Sequence, residues 1–105
     1  YCYIVDAING FIRVIFENKK FEIYNIGNAN GEISVLDLIN TTEKVMDMKI
    51  NYKKTSYPKE YPPDEPKRRC PDISKAKKNL GYTPQISLEV GLKRHFNWSK
   101  KNISG

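Results

Sequence analysis

The feature that most constrains the fold of this chain is the segment 57–66, in which four of ten residues are proline. Proline lacks a backbone N–H and fixes φ, so neither a regular helix nor a central strand can run through such a segment. We therefore predict an extended loop there, with regular structure on both sides. The full length of 105 residues suits one compact domain and is too short for two.

Charged residues are distributed unevenly around this loop. Residues 1–66 carry 8 basic and 10 acidic side chains, a net charge of −2, whereas residues 67–105 carry 10 basic and 2 acidic, a net charge of +8. A basic region of this kind favours a phosphate-bearing partner. No apolar run approaches the length of a membrane span and no signal-peptide pattern is present, so we expect a cytoplasmic protein without a membrane partner. Two distant cysteines and one histidine predict no metal site.

Four segments have the apolar periodicity or the capping residues of helices. The first is predicted from about Val5 to Phe16, and the second after the N-cap Ser34. The third follows Asp72 as its cap, and the fourth follows Ser87. Apolar residues at helical spacing define one face of each helix, which in the first helix consists of Ile4, Ile8, Phe11, Ile12 and Ile15. If a partner surface is missing, the isolated chain should expose apolar surface from Ile4 and Ile8.

Two short segments have the composition or the alternation of strands. Residues 21–26 are rich in aromatic and branched side chains, and residues 48–52 alternate between apolar and polar. With the second helix between them, they predict a parallel, right-handed βαβ unit and an α/β fold with about four helices. Two strands make a marginal sheet, so we expect a further surface to complete it.

The segment 64–72 carries the strongest chemical signal. Arg68 and Arg69 stand between prolines at the start of a predicted helix, and the planar guanidinium suits bidentate pairing with phosphate oxygens. A solvated basic turn is the alternative interpretation. His95 is expected to be an ordinary helix residue, and Asp64 and Glu65 as a general acid–base pair are less favoured than solvated loop carboxylates. We therefore predict no catalytic residue.

Six short motifs occur in one order along the chain: Tyr1–Asp6, Tyr24–Asn28, Glu32–Ser34, Asp64–Ala76, Leu80–Pro84 and Leu88–Leu92. In these motifs the chain resembles the C-terminal part of the extended short-chain dehydrogenases, the NAD-dependent nucleotide-sugar epimerases, dehydratases and UDP-glucuronate decarboxylases. The resemblance covers nearly the whole chain. It implies that residues 1–105 are the C-terminal nucleotide-sugar-binding domain of a Rossmann-type enzyme whose NAD domain lies upstream.

The resemblance also implies roles for individual residues. Arg69 would clasp the diphosphate of a nucleotide sugar, with Arg68 beside it. Tyr1 falls where the family often has an aromatic residue in contact with the nucleotide. Asp64 and Glu65 lie on a loop that can approach the ribose.

Two family motifs are missing. The chain has no glycine-rich dinucleotide turn and no tyrosine followed four residues later by lysine. We therefore expect NAD to be bound by the missing N-terminal domain in the complete enzyme, and this chain to bind no cofactor and to be inactive alone. The expected partners are the nucleotide-diphosphate sugar and a Rossmann domain, in the same chain or a separate one, with homodimerisation left open. The alternative is a free-standing basic module that binds nucleic acid or another protein.

Overall fold

The computed structural model describes residues 1–17, 21–66 and 68–103, and these ranges contain four α-helices. The helices are α1 (Ile4–Glu17), α2 (Val35–Met46), α3 (Ser74–Leu80) and α4 (Leu88–Asn102). They pack in two pairs, α1 against α3 and α2 against α4. No helix in the described part of the chain is long and apolar enough to cross a bilayer.

Local capping chemistry sets most of the helix ends. Ser34 and Asp37 form a reciprocal capping box at the start of α2, and Ser87 accepts the backbone N–H of Val90 at 3.3 Å at the start of α4. Gly81 ends α3 with a φ of 60°, a left-handed conformation that glycine adopts without steric cost. The N-cap of α3 is Ile73, not the predicted Asp72, because the Asp72 carboxylate accepts the N–H of Ser74 two residues on, at 2.8 Å, as in an Asx turn.

The core is small and lies beside α3. Its fully buried members are Ala76, Leu80 and Tyr82. Four partly buried side chains pack against them, namely Val14, Tyr24, Ile26 and Ile73.

The side of α1 that contacts this core carries Asp6 and Gly10, which are the buried residues of the helix. The apolar stripe lies on the other side and is exposed, as expected for Ile4 and Ile8. An amphipathic pattern identifies the apolar side of a helix but does not say whether a neighbour within the chain covers it. The exposed stripe, called the α1 face below, comprises Ile4, Val5, Ile8, Phe11, Ile12, Ile15 and Phe16.

The two predicted strands are also absent, since no residue in the described ranges is in a strand. A strand needs a neighbour whose backbone groups complete its hydrogen bonds, and alternation in sequence does not supply one. The segment 21–26 instead places Tyr24 and Ile26 against the core, and Lys75 donates to the carbonyl of Ile23 at 3.0 Å. The βαβ unit is therefore not formed, and the described residues make a helical arrangement with irregular connections.

The proline-rich loop has the predicted character. Residues 57–66 contain neither helix nor strand. Two tight turns punctuate the loop, in which Tyr61 donates to the carbonyl of Pro58 at 3.0 Å and Glu65 to that of Pro62 at 3.2 Å. The rings of Tyr57 and Tyr61 stack with their centroids 4.2 Å apart. Tight turns thus set the shape of this loop.

Candidate functional site

The candidate site is built where two irregular segments cross, loop 25–32 and residues 68–72, which we call the arginine segment. The amide nitrogen of Asn25 donates to the carbonyl of Asp72 at 3.2 Å, and the thiol of Cys70 lies 3.6 Å from the carbonyl oxygen of Ala29. At the other end of the arginine segment, Arg68 reaches Glu32. Contacts thus hold the arginine segment along its length.

Gly27 fixes loop 25–32 to the core beneath the crossing. A Cβ at this position would lie 2.7 Å from Cγ of Pro71, so only glycine allows the two segments to approach this closely. The hydroxyl of Tyr82 donates to the carbonyl of Gly27 at 2.9 Å. Burial raises the pKa of Tyr82, and the neighbouring Cys2 adds to the effect, so the phenol stays protonated and remains a donor.

Arg68 is held by a carboxylate at two points. Its Nε donates to Oε1 of Glu32 at 2.7 Å and its Nη2 donates to Oε2 at 2.5 Å, which is a bidentate arrangement. The hydrogen bond from Arg68 lowers the pKa of Glu32, and the same bond raises the pKa of Arg68. The Nε and Nη2 edge of the Arg68 guanidinium is therefore paired within the protein, while 81% of the side chain stays exposed.

Arg69 points to a different partner. It forms an ion pair with Glu65, four residues earlier in the loop, while 72% of its side chain remains exposed. Glu65 is partly buried and Asp64 beside it is exposed. The structure thus brings Arg69 and Glu65 into contact, with Arg68 and Asp64 adjacent to them in the chain.

Tyr1 lies in a pocket of about 310 Å³ between the N-terminus, α2 and α4. None of the described residues that line this pocket belongs to the arginine segment or to the proline-rich loop. Asn28 of loop 25–32 does line it, so the pocket and the crossing share one loop. His95, which the sequence suggested was an ordinary helix residue, also lines the pocket.

Loop 25–32 contains a turn closed by a side chain. Oδ1 of Asn28 accepts the backbone N–H of Asn30 at 2.9 Å, which closes an Asx turn. Sequence reasoning missed Glu32 as the partner of Arg68, because these residues are 36 positions apart and nothing local to either indicates the pairing.

The described residues contain no group of three or more His, Cys, Asp or Glu that could hold a metal ion.

Comparisons with known proteins identify similar sequences and a similar structure. No protein-family model matches the chain. The chain is 39% identical over 92 residues to UDP-glucuronic acid decarboxylase 3 of Arabidopsis thaliana, covering 88% of this chain and 25% of that protein. It is 37% identical over 103 residues to UDP-glucuronate 4-epimerase of Thermodesulfobacterium geofontis, covering 98% of this chain and 30% of that protein.

A crystal structure of UDP-glucose 4-epimerase from Bifidobacterium longum in complex with NAD+ and UDP matches with a TM-score of 0.76 at 28% identity. The match covers 100% of this chain and 30% of that one. The chain therefore spans between a quarter and a third of the length of these proteins, and the matched region is their C-terminal part.

Proposed function

The chain is homologous to the C-terminal part of extended short-chain dehydrogenases, the NAD-dependent UDP-sugar epimerases and decarboxylases, and from this premise we propose that it is the nucleotide-sugar-binding part of such an enzyme. Its role is to anchor the nucleotide diphosphate of the substrate, and it is not catalytic alone. The observation that carries the proposal is the exposed guanidinium of Arg69, presented by a segment that is fixed at both ends.

Arg69 is the anchor for the diphosphate. Its contact with Glu65 holds the side chain near one position before ligand arrives, which reduces the entropy lost on binding. A diphosphate offers several acceptor oxygens and more negative charge than one carboxylate, so it competes with Glu65 for the guanidinium. When the diphosphate is held in place, the position of the sugar attached to it is also restricted. Binding at this remote group thereby orients the reacting carbon of the sugar.

The other predicted residues have supporting roles in this proposal. Tyr1, on the wall of the pocket, offers its ring to the nucleotide base. Asp64 and Glu65 accept hydrogen bonds from the ribose hydroxyls once Glu65 is released. Arg68, whose fork is taken by Glu32, contributes positive charge to the site without direct bidentate contact.

NAD belongs to the complete enzyme in this proposal, and the residues of this chain do not fit it. Gly27 is the glycine that follows residues 21–26. The ring of Pro71 fills the space beside it, so no open cradle for a pyrophosphate is left there. The hydride transfer and its base are therefore assigned to the part of the enzyme that this chain lacks. The residues here bind and orient the substrate.

The α1 face supports a Rossmann domain as the partner, in the same chain or as a separate one. Seven large apolar side chains lie exposed on one side of a single helix, which is far more than scattered surface residues provide. The relatives are three to four times longer than this chain, so they contain enough additional protein to cover such a face. A homodimer built on the same face is the competing arrangement, and we place either assembly in the cytoplasm.

The alternative of a nucleic-acid-binding module is less well supported. Of the three lysines on α3, Lys75 turns back to Glu22, with a nitrogen–oxygen distance of 2.9 Å, and its ammonium lies 5.0 Å from the centre of the Tyr24 ring. The charge of Lys75 is therefore paired within the protein. Binding to a phosphate backbone favours a row of unpaired lysines. The row along α3 is incomplete because Lys75 is paired.

The test compares two variants that lose the same charge. UDP is titrated into the full chain and binding is followed by NMR and calorimetry. Arg69→Ala is expected to weaken UDP binding by about 2 kcal/mol, roughly thirtyfold, whereas Lys77→Ala on the exposed side of α3 leaves it unchanged. Equal weakening by both variants would indicate nonspecific attraction by the basic region, and no binding of UDP to the wild-type chain would overturn the proposal.

A further inference from the structure

The link between Glu32 and Arg68 differs from the other contacts at the crossing. It joins two charged groups through two short hydrogen bonds, of 2.7 and 2.5 Å, in the geometry that planar forks prefer. The thiol of Cys70 makes only a weak hydrogen bond at 3.6 Å, and the amide of Asn25 reaches the far end of the segment at Asp72. Glu32 therefore makes the strongest contact from loop 25–32 to the end of the arginine segment that carries Arg68 and Arg69, where the ion pair of Arg69 with Glu65 is the other charged contact.

Arg69 directly follows Arg68, so their Cα atoms are about 3.8 Å apart. Fixing the side chain of Arg68 limits where the backbone of Arg69 can lie. The proline-rich loop, residues 57–66, lies before them in the chain and contains neither helix nor strand. Without Glu32, the remaining contacts near Arg69 include its own ion pair with Glu65, which lies on the irregular proline-rich loop, and the packing of Pro71 against Gly27 two residues further on.

We propose that Glu32 is a positioning residue for Arg69: by holding Arg68 in a bidentate pair, it keeps Arg69 beside Glu65 and open to an anionic ligand. Arg68 is then half of a latch and not a second ligand-binding arginine. A carboxylate and a guanidinium are both charged at neutral pH, and their mutual hydrogen bond lowers the pKa of Glu32 and raises that of Arg68 further from neutrality. The inference rests on the proposed function only where it takes that ligand to be a nucleotide diphosphate.

The latch itself is tested by NMR on the full chain without any ligand. The Nε–H of Arg68 is expected to exchange slowly with water, and Glu32→Gln is expected to speed that exchange and to lower the heteronuclear NOE of the Arg69 and Cys70 amides. Arg13 provides an internal reference, since its Nε donates to Oδ1 of Asn9 at 2.7 Å, far from Glu32 in sequence and on α1. Its signal should not change.

A matched control removes a different exposed ion pair. Glu89→Gln breaks the contact of Glu89 with Lys44, 3.3 Å apart, and is expected to leave Arg68, Arg69 and Cys70 unaffected. An unchanged NOE at Arg69 and Cys70 in Glu32→Gln would overturn the latch. The charge reversal Glu32→Arg with Arg68→Glu restores the pair and is expected to restore the NOE.

The consequence for binding is measured with UDP as the probe. Glu32→Gln is expected to weaken UDP binding about threefold, the size that an exposed but bidentate pair allows, and the charge reversal to recover most of it. A loosened segment with unchanged UDP affinity would overturn the positioning role. If the wild-type chain binds no UDP, the proposed function and the role of Glu32 toward a diphosphate both fail, while the NMR result still decides the latch.

Discussion

The carboxylate of Asp6 in α1 accepts a hydrogen bond of 2.9 Å from the backbone N–H of Ile86, 80 positions further along the chain. Its other oxygen accepts the N–H of Gln85 at 3.0 Å. Asp6 is 5% exposed, so both of these hydrogen bonds are shielded from water. Asp6 thereby joins the start of α1 to the turn that precedes α4.

Asp6→Asn is expected to lower the free energy of unfolding by about 1–3 kcal/mol. The amide group of asparagine has one oxygen, so one of the two backbone N–H groups faces a donor and loses its partner. Urea denaturation of both proteins measures the difference. Asp47→Asn is the control, because Asp47 is exposed in a left-handed conformation that asparagine also accepts, and it should be near neutral. Equal stability of Asp6→Asn and the wild type would contradict the role assigned to Asp6.

Gly10→Ala is expected to destabilise the chain by about 1–3 kcal/mol although alanine favours helices. A Cβ at this position would lie 2.4 Å from Cγ2 of Ile26 and 3.1 Å from the Tyr82 ring, so the core must shift to admit it. Thermal unfolding measures the loss. Gly31→Ala is the matched control, since nothing lies within 4 Å of its added Cβ, and it should leave the melting temperature within error of the wild type.

The helices were predictable from sequence because their signals are local. Ser34, Ser87 and Gly81 act within a few residues of themselves, and each has its predicted role in the structure. The strands were not predictable in this way, since residues 21–26 and 48–52 have strand composition but pairing depends on a neighbour that composition cannot supply. The burial of Asp6 was not predictable either, since it depends on two backbone amides about 80 positions away.

The candidate site shows the same division between local and distant signals. The sequence singled out Arg68 and Arg69 by their residue type and the prolines around them, which are local features, and Asp64 and Glu65 by the family resemblance. It did not predict that Glu32 would occupy Arg68, and that contact changes the role we propose for Arg68. Whether Arg69 binds a diphosphate stays a prediction for the titration with UDP.

Glu43 is expected to contribute to the acid sensitivity of the fold. Its carboxylate accepts the backbone N–H of Ile50 at 2.9 Å and contacts the ammonium of Lys49 at 3.1 Å. The bond from Ile50, and then that from Lys49, hold the pKa of Glu43 below its ordinary value of 4.5. A carboxyl whose pKa is lower in the folded state stabilises the fold above its unfolded value and loses that contribution as pH falls through the folded one.

Glu43→Gln is therefore expected to be less stable than the wild type at neutral pH, and the difference should shrink as pH falls below 4.5. Urea denaturation at a series of pH values measures it. Lys49→Ala should keep most of the wild-type dependence, because the larger cause of the lowered pKa is the backbone of Ile50. A stability difference that stays constant down to acid pH would contradict this account.

The α1 face is expected to drive self-association of the isolated chain. Ile8 and Ile12 are 47% and 49% exposed, so Glu at both positions should reduce association with little cost to the free energy of unfolding. Sedimentation at rising protein concentration measures the first effect and urea denaturation the second. Val14→Glu on the opposite side of the same helix is the control, and it should destabilise strongly because Val14 packs against the core. Equal destabilisation by the Ile8, Ile12 double variant and by Val14→Glu would mean that the face is covered within one chain, and the argument for a partner on α1 would fail.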